Sequence, residues 1–253
     1  MAAPRLSTLA NGLRVLVLPR PGTGAVAVAV HYGVGYRSEP LDRAGFAHLF
    51  EHLMFQGSAG VAKLEHVRRV QAAGGACNAV TARDHTCYYD VVPSGALGEV
   101  LFLESDRMRA PLFRAADIAT QLRVIREEIG ANVLGRPYGG LPWLLLPPVL
   151  FRSHANTHNG YGALDELASA TVEECESFFE RCYRPDNAVV TLVGDVDTTD
   201  AMERVEDAFG DIRPGATSLS SDIEEPLDRE QRGHHVDRLA HATATAYGWS
   251  LSG

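Results

Sequence analysis

Two hydrophobic periods alternate along the chain. Residues 13–18 read as a strand, and the Val-rich run 25–32 as a second, buried one. The turn dipeptide Asn11-Gly12 favours a hairpin between residues 6–10 and the first of these runs. Residues 46–55 and 64–73 change to helical spacing, and Gly74-Gly75 stops the second helix. Residues 77–81 and 86–92 predict a second hairpin around the polar turn 82–85, with helices following at 97–108 and 115–134. Residues 135–148 form a Gly/Pro-rich loop long enough to suggest a functional role. The capping box Thr171-Val172-Glu173-Glu174 opens a helix through residue 182. A turn at 184–187 leads into a strand at 188–193, and a helix covers 201–209. Periodicity fades across 213–233, which reads as a linker, and a strand is expected at 242–251. Strands and helices are interspersed without regular βαβ alternation, so the expected class is α+β.

Composition adds limits to this pattern. With 253 residues, 45% of them hydrophobic, the chain can bury a sizeable core. A net charge of −9 argues against a nucleic-acid partner, whose phosphates require a basic face. No apolar run approaches the length of a membrane span, which argues against a membrane partner. Four cysteines without a C-x-x-C spacing are too few for a disulfide scaffold. Residues 1–14 lack a secretory pattern, so a cytoplasmic, reduced protein is expected.

Chemistry concentrates at Ala47-His48-Leu49-Phe50-Glu51-His52-Leu53, an H-x-x-E-H motif inside a helical pattern. Residues four apart share a helix face, so His48 and His52 can aim both imidazoles at one metal ion. Glu51 lies beside that face, where a carboxylate can take a proton from water without binding the metal. This is the inverted order of the commoner zinc-peptidase motif. With 10 His in the chain, chance would produce such a motif in about 3% of comparable sequences. A catalytic zinc takes three protein ligands, and the best third candidate lies in Val124-Ile125-Arg126-Glu127-Glu128-Ile129. With Val124, Ile125 and Ile129 on the buried side, Glu128 sits nearer to it than Glu127.

The run from Gly45 to Ser58 resembles the active-site helix of the pitrilysin/insulinase family of zinc peptidases, which includes mitochondrial processing peptidase. The likeness continues through Gly74-Gly75-Ala76-Cys77-Asn78-Ala79-Val80-Thr81 with Thr86 and Tyr88, then at 124–129 and 178–195. The resemblance implies a half-domain with a mixed, largely antiparallel sheet and helices on one face. It implies zinc as cofactor, His48, His52 and Glu128 as its ligands, and Glu51 as the catalytic base. Asn78, Ala79 and Thr81 would lie on the edge strand that receives an extended peptide. Gln121 stands where the family often has a supporting glutamate, so this position would support the site without adding charge.

The function implied is that of a zinc-dependent endopeptidase acting on peptides or on precursor and leader peptides. The alternative is a non-catalytic homologue that binds peptides or stabilises a partner. Family members pair two similar halves. Residues 1–212 would be the zinc-bearing half, 213–233 a linker and 234–253 the start of a second half, with a companion half or homologous subunit as partner. Among other candidates, His154 and His158 are expected in a loop with a structural or substrate-lining role. His234, His235 and His241 are expected at the surface. Arg136, Pro137, Tyr138 and Trp143 are cleft candidates, with the core as the alternative for Trp143. Cys77 and Cys87 are expected to face each other across the hairpin as reduced packing thiols.

Overall fold

A computed structural model describes residues 3–162, 164–215, 225 and 230–249, with only the backbone of residue 166. The strands are β1 (Arg5–Thr8), β2 (Arg14–Pro19), β3 (Ala25–Tyr32), β4 (Ala76–Thr81), β5 (Thr86–Pro93) and β6 (Ala188–Gly194). They form one six-stranded sheet in the order β1-β2-β6-β3-β5-β4. Only the β2–β6 pair is parallel; every other neighbour is antiparallel. The expected α+β class and mixed, largely antiparallel sheet are therefore observed.

Alternation along the strands decides which face is covered. Val15 and Val17 of β2, Val26, Val28 and Val30 of β3, Tyr88 and Val92 of β5, and Val190 and Leu192 of β6 are buried. Their neighbours Leu16, Leu18, Ala27, Ala29, Val189 and Val193 are half-buried, and Tyr89 and Val91 are exposed. Helices thus pack on one face, leaving the other open.

The covering layer contains α1 (Phe46–Leu53), α2 (Glu65–Ala72), α3 (Leu97–Arg109), α4 (Ala115–Ile129), α8 (Val172–Cys182) and α9 (Thr198–Phe209). Three single turns lie between α4 and α8: α5 (Pro147–Leu150), α6 (His154–Thr157) and α7 (Leu164–Leu167). A π-helical turn at Gly130–Leu134 extends α4 over the full length expected from its pattern. At α8 the capping box closes as expected: Glu174 N–H donates to Thr171 Oγ1 at 3.2 Å, and Thr171 N–H to the Glu174 carboxylate at 2.9 Å.

Three expectations are corrected. Residues 242–249 form no strand. This segment lies beside the loop after α4, where Tyr138 Oη donates to the Ala242 carbonyl at 2.7 Å; positions 250 and 251 lie outside the described residues. Cys77 and Cys87 are not opposed. The turn closed by Ala82 N–H to His85 O fixes Thr81 opposite Thr86, so Cys77 faces Asp90 and Cys87 faces Val80. The two thiols also occupy opposite faces, although all four cysteines are free. Finally, residues 154–157 are one helical turn rather than loop.

The turn between β1 and β2 is tied to the far end of the layer. Asn11 Nδ2 donates to Phe209 O at 2.8 Å and to Ile212 O at 3.0 Å, while its Oδ1 accepts from Leu13 N–H at 3.2 Å. Asn11 is buried, so removing it strands two carbonyls away from water. Asn11→Ala should lower stability by about 1–3 kcal/mol in urea unfolding. An unchanged midpoint would show that this tie is dispensable.

Candidate metal centre

Helix α1 buries Phe46, Ala47, Leu49, Phe50 and Leu53, leaving His48, Glu51 and His52 half-buried on its remaining side. Helix α4 crosses it and brings Glu128 there. Val124, expected on the buried side of α4, is 42% exposed. The buried stripe is Asp117, Ile118, Gln121 and Ile125, and Glu128 follows it one turn beyond Ile125.

The donors converge. His48 Nε2 lies 3.8 Å and His52 Nε2 3.5 Å from Glu128 Oε2, and one ligand atom from each residue lies within 4.8 Å of the others. Tetrahedral zinc with bonds of about 2.0–2.2 Å places its ligands about 3.3–3.6 Å apart, so small movements suffice to fit the ion. Two imidazoles and a carboxylate also form a donor set used for catalytic zinc. Burial, then the neighbouring His52, pulls His48 down to about 4 against the pull of Glu51, so its ring is neutral and can ligate at neutral pH.

Surrounding groups orient these side chains. His52 Nδ1 lies 3.3 Å from Gln121 Oε1; with Gln121 as acceptor, the proton sits on Nδ1 and Nε2 is left toward Glu128. His48 Nδ1 is buried without such a partner, and its ring packs edge-on against Tyr161 and His52. Tyr161 Oη donates to Glu128 Oε1 at 3.5 Å. Glu51 is absent from the converging set. Its Oε2 instead accepts from Thr81 Oγ1 of β4 at 2.6 Å.

Thr81 and Ala79 lie on the helix-covered face of β4, whereas Asn78 points to the other face. β4 is a sheet edge. Ala79 N–H accepts no place in the ladder; it donates to Asn78 Oδ1 at 2.8 Å, so the carboxamide covers a donor on the free edge.

Sequence reasoning missed Glu39 and Tyr161 as contributors here, and gave His158 a structural or substrate-lining role without its partners. The Glu39 carboxylate accepts Gly45 N–H and Ala47 N–H, each at 2.7 Å, and thereby caps the start of α1. His158 binds the opposite side: Nε2 lies 3.1 Å from Glu39 and 2.5 Å from Tyr36 O, and Nδ1 lies 2.6 Å from His154 O. Both ring nitrogens face acceptors, which favours the imidazolium. Gly45 and Gly162 permit this close approach. Both have positive φ, and a Cβ on Gly45 would lie 2.7 Å from Tyr161 O. No spacing rule announces the contacts that His158 and Tyr161 make with residues 36–48.

Elsewhere, Trp143 is 78% exposed, which excludes the core reading. Tyr138 N–H donates to Asp237. His234, His235 and His241 are exposed, as expected. Among the described residues, no helix is long and apolar enough to cross a membrane.

Burial lowers the affinity of His158 for its proton, but Glu39 and the His154 and Tyr36 carbonyls outweigh it and raise the pKa above 6.5. Its stabilising contribution is therefore complete below the unfolded value and is lost as pH rises through the folded one. The stability difference between the unmodified chain and His158→Gln should be larger at about pH 6 than at about pH 9. Equal differences in urea unfolding at the two pH values would refute the charged pair.

Residues 14–134 match the family described as insulinase (peptidase family M16), and residues 169–251 match the peptidase M16 inactive domain. An uncharacterized zinc protease of Mycobacterium tuberculosis is 33% identical over 208 residues, 82% of this chain and 47% of the relative. A zinc protease of Helicobacter pylori is 28% identical over 207 residues, covering 81% and 46%. The chain thus spans about half the length of these curated relatives. The crystal structure of a Helicobacter pylori protease aligns with a TM-score of 0.83 at 27% identity, covering 89% of this chain and 55% of that one. The periplasmic protease PqqL of Escherichia coli shares the fold, with a TM-score of 0.79 at 24% identity over 87% of this chain and 25% of that one. The chain belongs to the insulinase family of peptidases, M16.

Proposed function

We propose that this chain is the metal-bearing half of a zinc-dependent endopeptidase that hydrolyses extended peptides, including precursor or leader peptides. One observation carries the reading: His48, His52 and Glu128 converge while Glu51 stands beside them, held by Thr81 rather than by the metal-ligand set. A structural zinc site would have no use for that additional carboxylate.

Zinc held by His48, His52 and Glu128 would supply Lewis acidity toward water and the scissile carbonyl. The chain's own groups account for the remaining steps. Glu51 takes the proton of the attacking water and delivers it to the leaving amine. Thr81 fixes the carboxylate for that transfer, and its position on β4 ties the base to the strand beside which substrate lies. An extended peptide adds to the free edge of β4 through backbone hydrogen bonds, with the Asn78 carboxamide yielding the Ala79 N–H. Gln121 holds His52 in the ligating tautomer without adding negative charge.

The length relative to curated relatives supports a companion half, in the same chain or as a homologous subunit, which closes the substrate space. Four free thiols suit a reducing compartment, and we place the reaction in the cytoplasm.

Glu51→Gln should retain stoichiometric zinc while cleavage of an unstructured peptide falls on the order of 10²- to 10⁴-fold. Undiminished cleavage would remove Glu51 as base. Glu128→Gln should lose one equivalent of zinc relative to the unmodified chain by elemental analysis; an unchanged zinc content would remove Glu128 as ligand. Zinc binding without cleavage, even with the companion half supplied, would favour the partner-stabilising homologue.

A further inference from the structure

At the other end of β4, a second group of side chains faces inward. His66 in the first turn of α2, Cys77 of β4 and Asp90 of β5 each place one ligand atom within 4.8 Å of the others. Cys77 and Asp90 are cross-strand partners, and His66 Nε2 lies 3.0 Å from Asp90 Oδ1. Glu104 of α3 brings Oε1 to 3.8 Å from the same imidazole nitrogen. We propose that His66, Cys77 and Asp90, with Glu104 in reach as a fourth donor, form a second, structural site for a divalent transition metal of the zinc class.

Burial and unsatisfied polarity point to an occupant. His66 is 5% exposed, while Asp90 and Glu104 are fully buried. Asp90 and Glu104 meet through a carboxyl–carboxylate hydrogen bond that requires one retained proton, with no other donor reaching Asp90 Oδ2 or Glu104 Oε2, and Arg107 leaves Nε and Nη1 without an acceptor. A buried network with this many open positions needs a bound group, a proton or water to complete it.

Charge narrows the choice. Arg107 pairs with Glu104 and stacks over Tyr88, so one guanidinium opposes two carboxylates in a dry interior. Without metal, one proton must remain on the carboxyl pair, and burial accordingly pushes Glu104 up to about 7. With metal, the Cys77 thiolate and both carboxylates balance the dication and guanidinium. Binding would therefore displace the carboxyl proton and the thiol proton. Burial, followed by Arg107, pulls His66 down to about 4, leaving a neutral ring available as ligand.

The donor types select the metal class. Sulfur and imidazole nitrogen suit zinc-like ions, whereas magnesium and calcium take oxygen. His66, Asp90 and Glu104 are buried and Cys77 is half-buried, and the site shares no residue with His48, His52 and Glu128. Cys77 lies four residues from Thr81, about 13 Å along the strand. An ion there would pin α2 to the last two strands of the sheet.

Cobalt(II) titration of the whole 253-residue chain tests the proposal. Thiolate coordination gives a near-ultraviolet charge-transfer band that the sulfur-free His48/His52/Glu128 site cannot produce. The unmodified chain should show this band and bind two equivalents of cobalt. Cys77→Ala should lose the band and one equivalent, as should His66→Gln, with folding checked by circular dichroism. A His48→Ala/His52→Ala double variant should keep the band, which separates this site from the peptidase reading. A folded chain without the band, or a band that persists in Cys77→Ala, would overturn the proposal and leave a proton or water to complete the network.

Discussion

Helix α1 has only eight residues, too few to hold helical shape through backbone hydrogen bonds alone. Packing therefore determines where its polar residues point. Phe50 meets Phe178 at 4.8 Å, Phe113 at 5.2 Å and Tyr183 at 5.3 Å, and Phe46 meets Phe178 at 5.4 Å. Aromatic pairs of this type contribute about 0.5–1.5 kcal/mol each beyond burial, and their geometry resists rotation of the helix. One orientation of α1 satisfies this cluster, and it sends His48, Glu51 and His52 toward α4 and β4.

Interior charges are resolved in contrasting ways. Glu39 has both oxygens engaged, by two N–H groups at the start of α1 and by His158, so its burial organises the helix. Asp117 is paired with Lys63 at 2.5 Å near the surface end of its helix. The Asp90–Glu104–Arg107 group differs because its two carboxyl groups face each other and can share only a retained proton, while Arg107 keeps Nε and Nη1 without an acceptor. A low-dielectric interior makes such groups expensive. The contrast separates a completed network from one that awaits a further component.

Much of this architecture was legible because its determinants are local. The Val-rich run Ala25–Tyr32 and the Thr171/Glu174 cap act within a few residues, and both elements formed where expected. The His48/His52 pair was legible for the same reason, since helix geometry alone sets its spacing. Glu128 was found with a partly mistaken face: Val124 is exposed, and the stripe through Gln121 and Ile125 positions the carboxylate. His158 and Tyr161 depend on the chain returning after more than a hundred residues to the start of α1, for which sequence carries no period, whereas Glu39 reaches α1 from only six and eight residues away without belonging to its periodic pattern. Over residues 242–249 the expected strand is absent, and Ala242 meets Tyr138 of the loop after α4 instead.

β4 combines constraints that are usually kept apart. As an edge strand it must discourage unwanted pairing, and its six residues and the Asn78 carboxamide over Ala79 N–H serve that end. Its inward face carries Cys77 and Thr81 in the same alternation, so the buried polar group beneath α2 and the Glu51 contact beneath α1 share one rigid segment. A register slip of one residue would exchange the faces, exposing Thr81 and turning Asn78 and Val80 inward. Glu51 would lose its hydrogen-bond donor and Asp90 its cross-strand neighbour Cys77. Register in this hairpin, set by the turn at Ala82–His85, therefore controls both ends of the strand together.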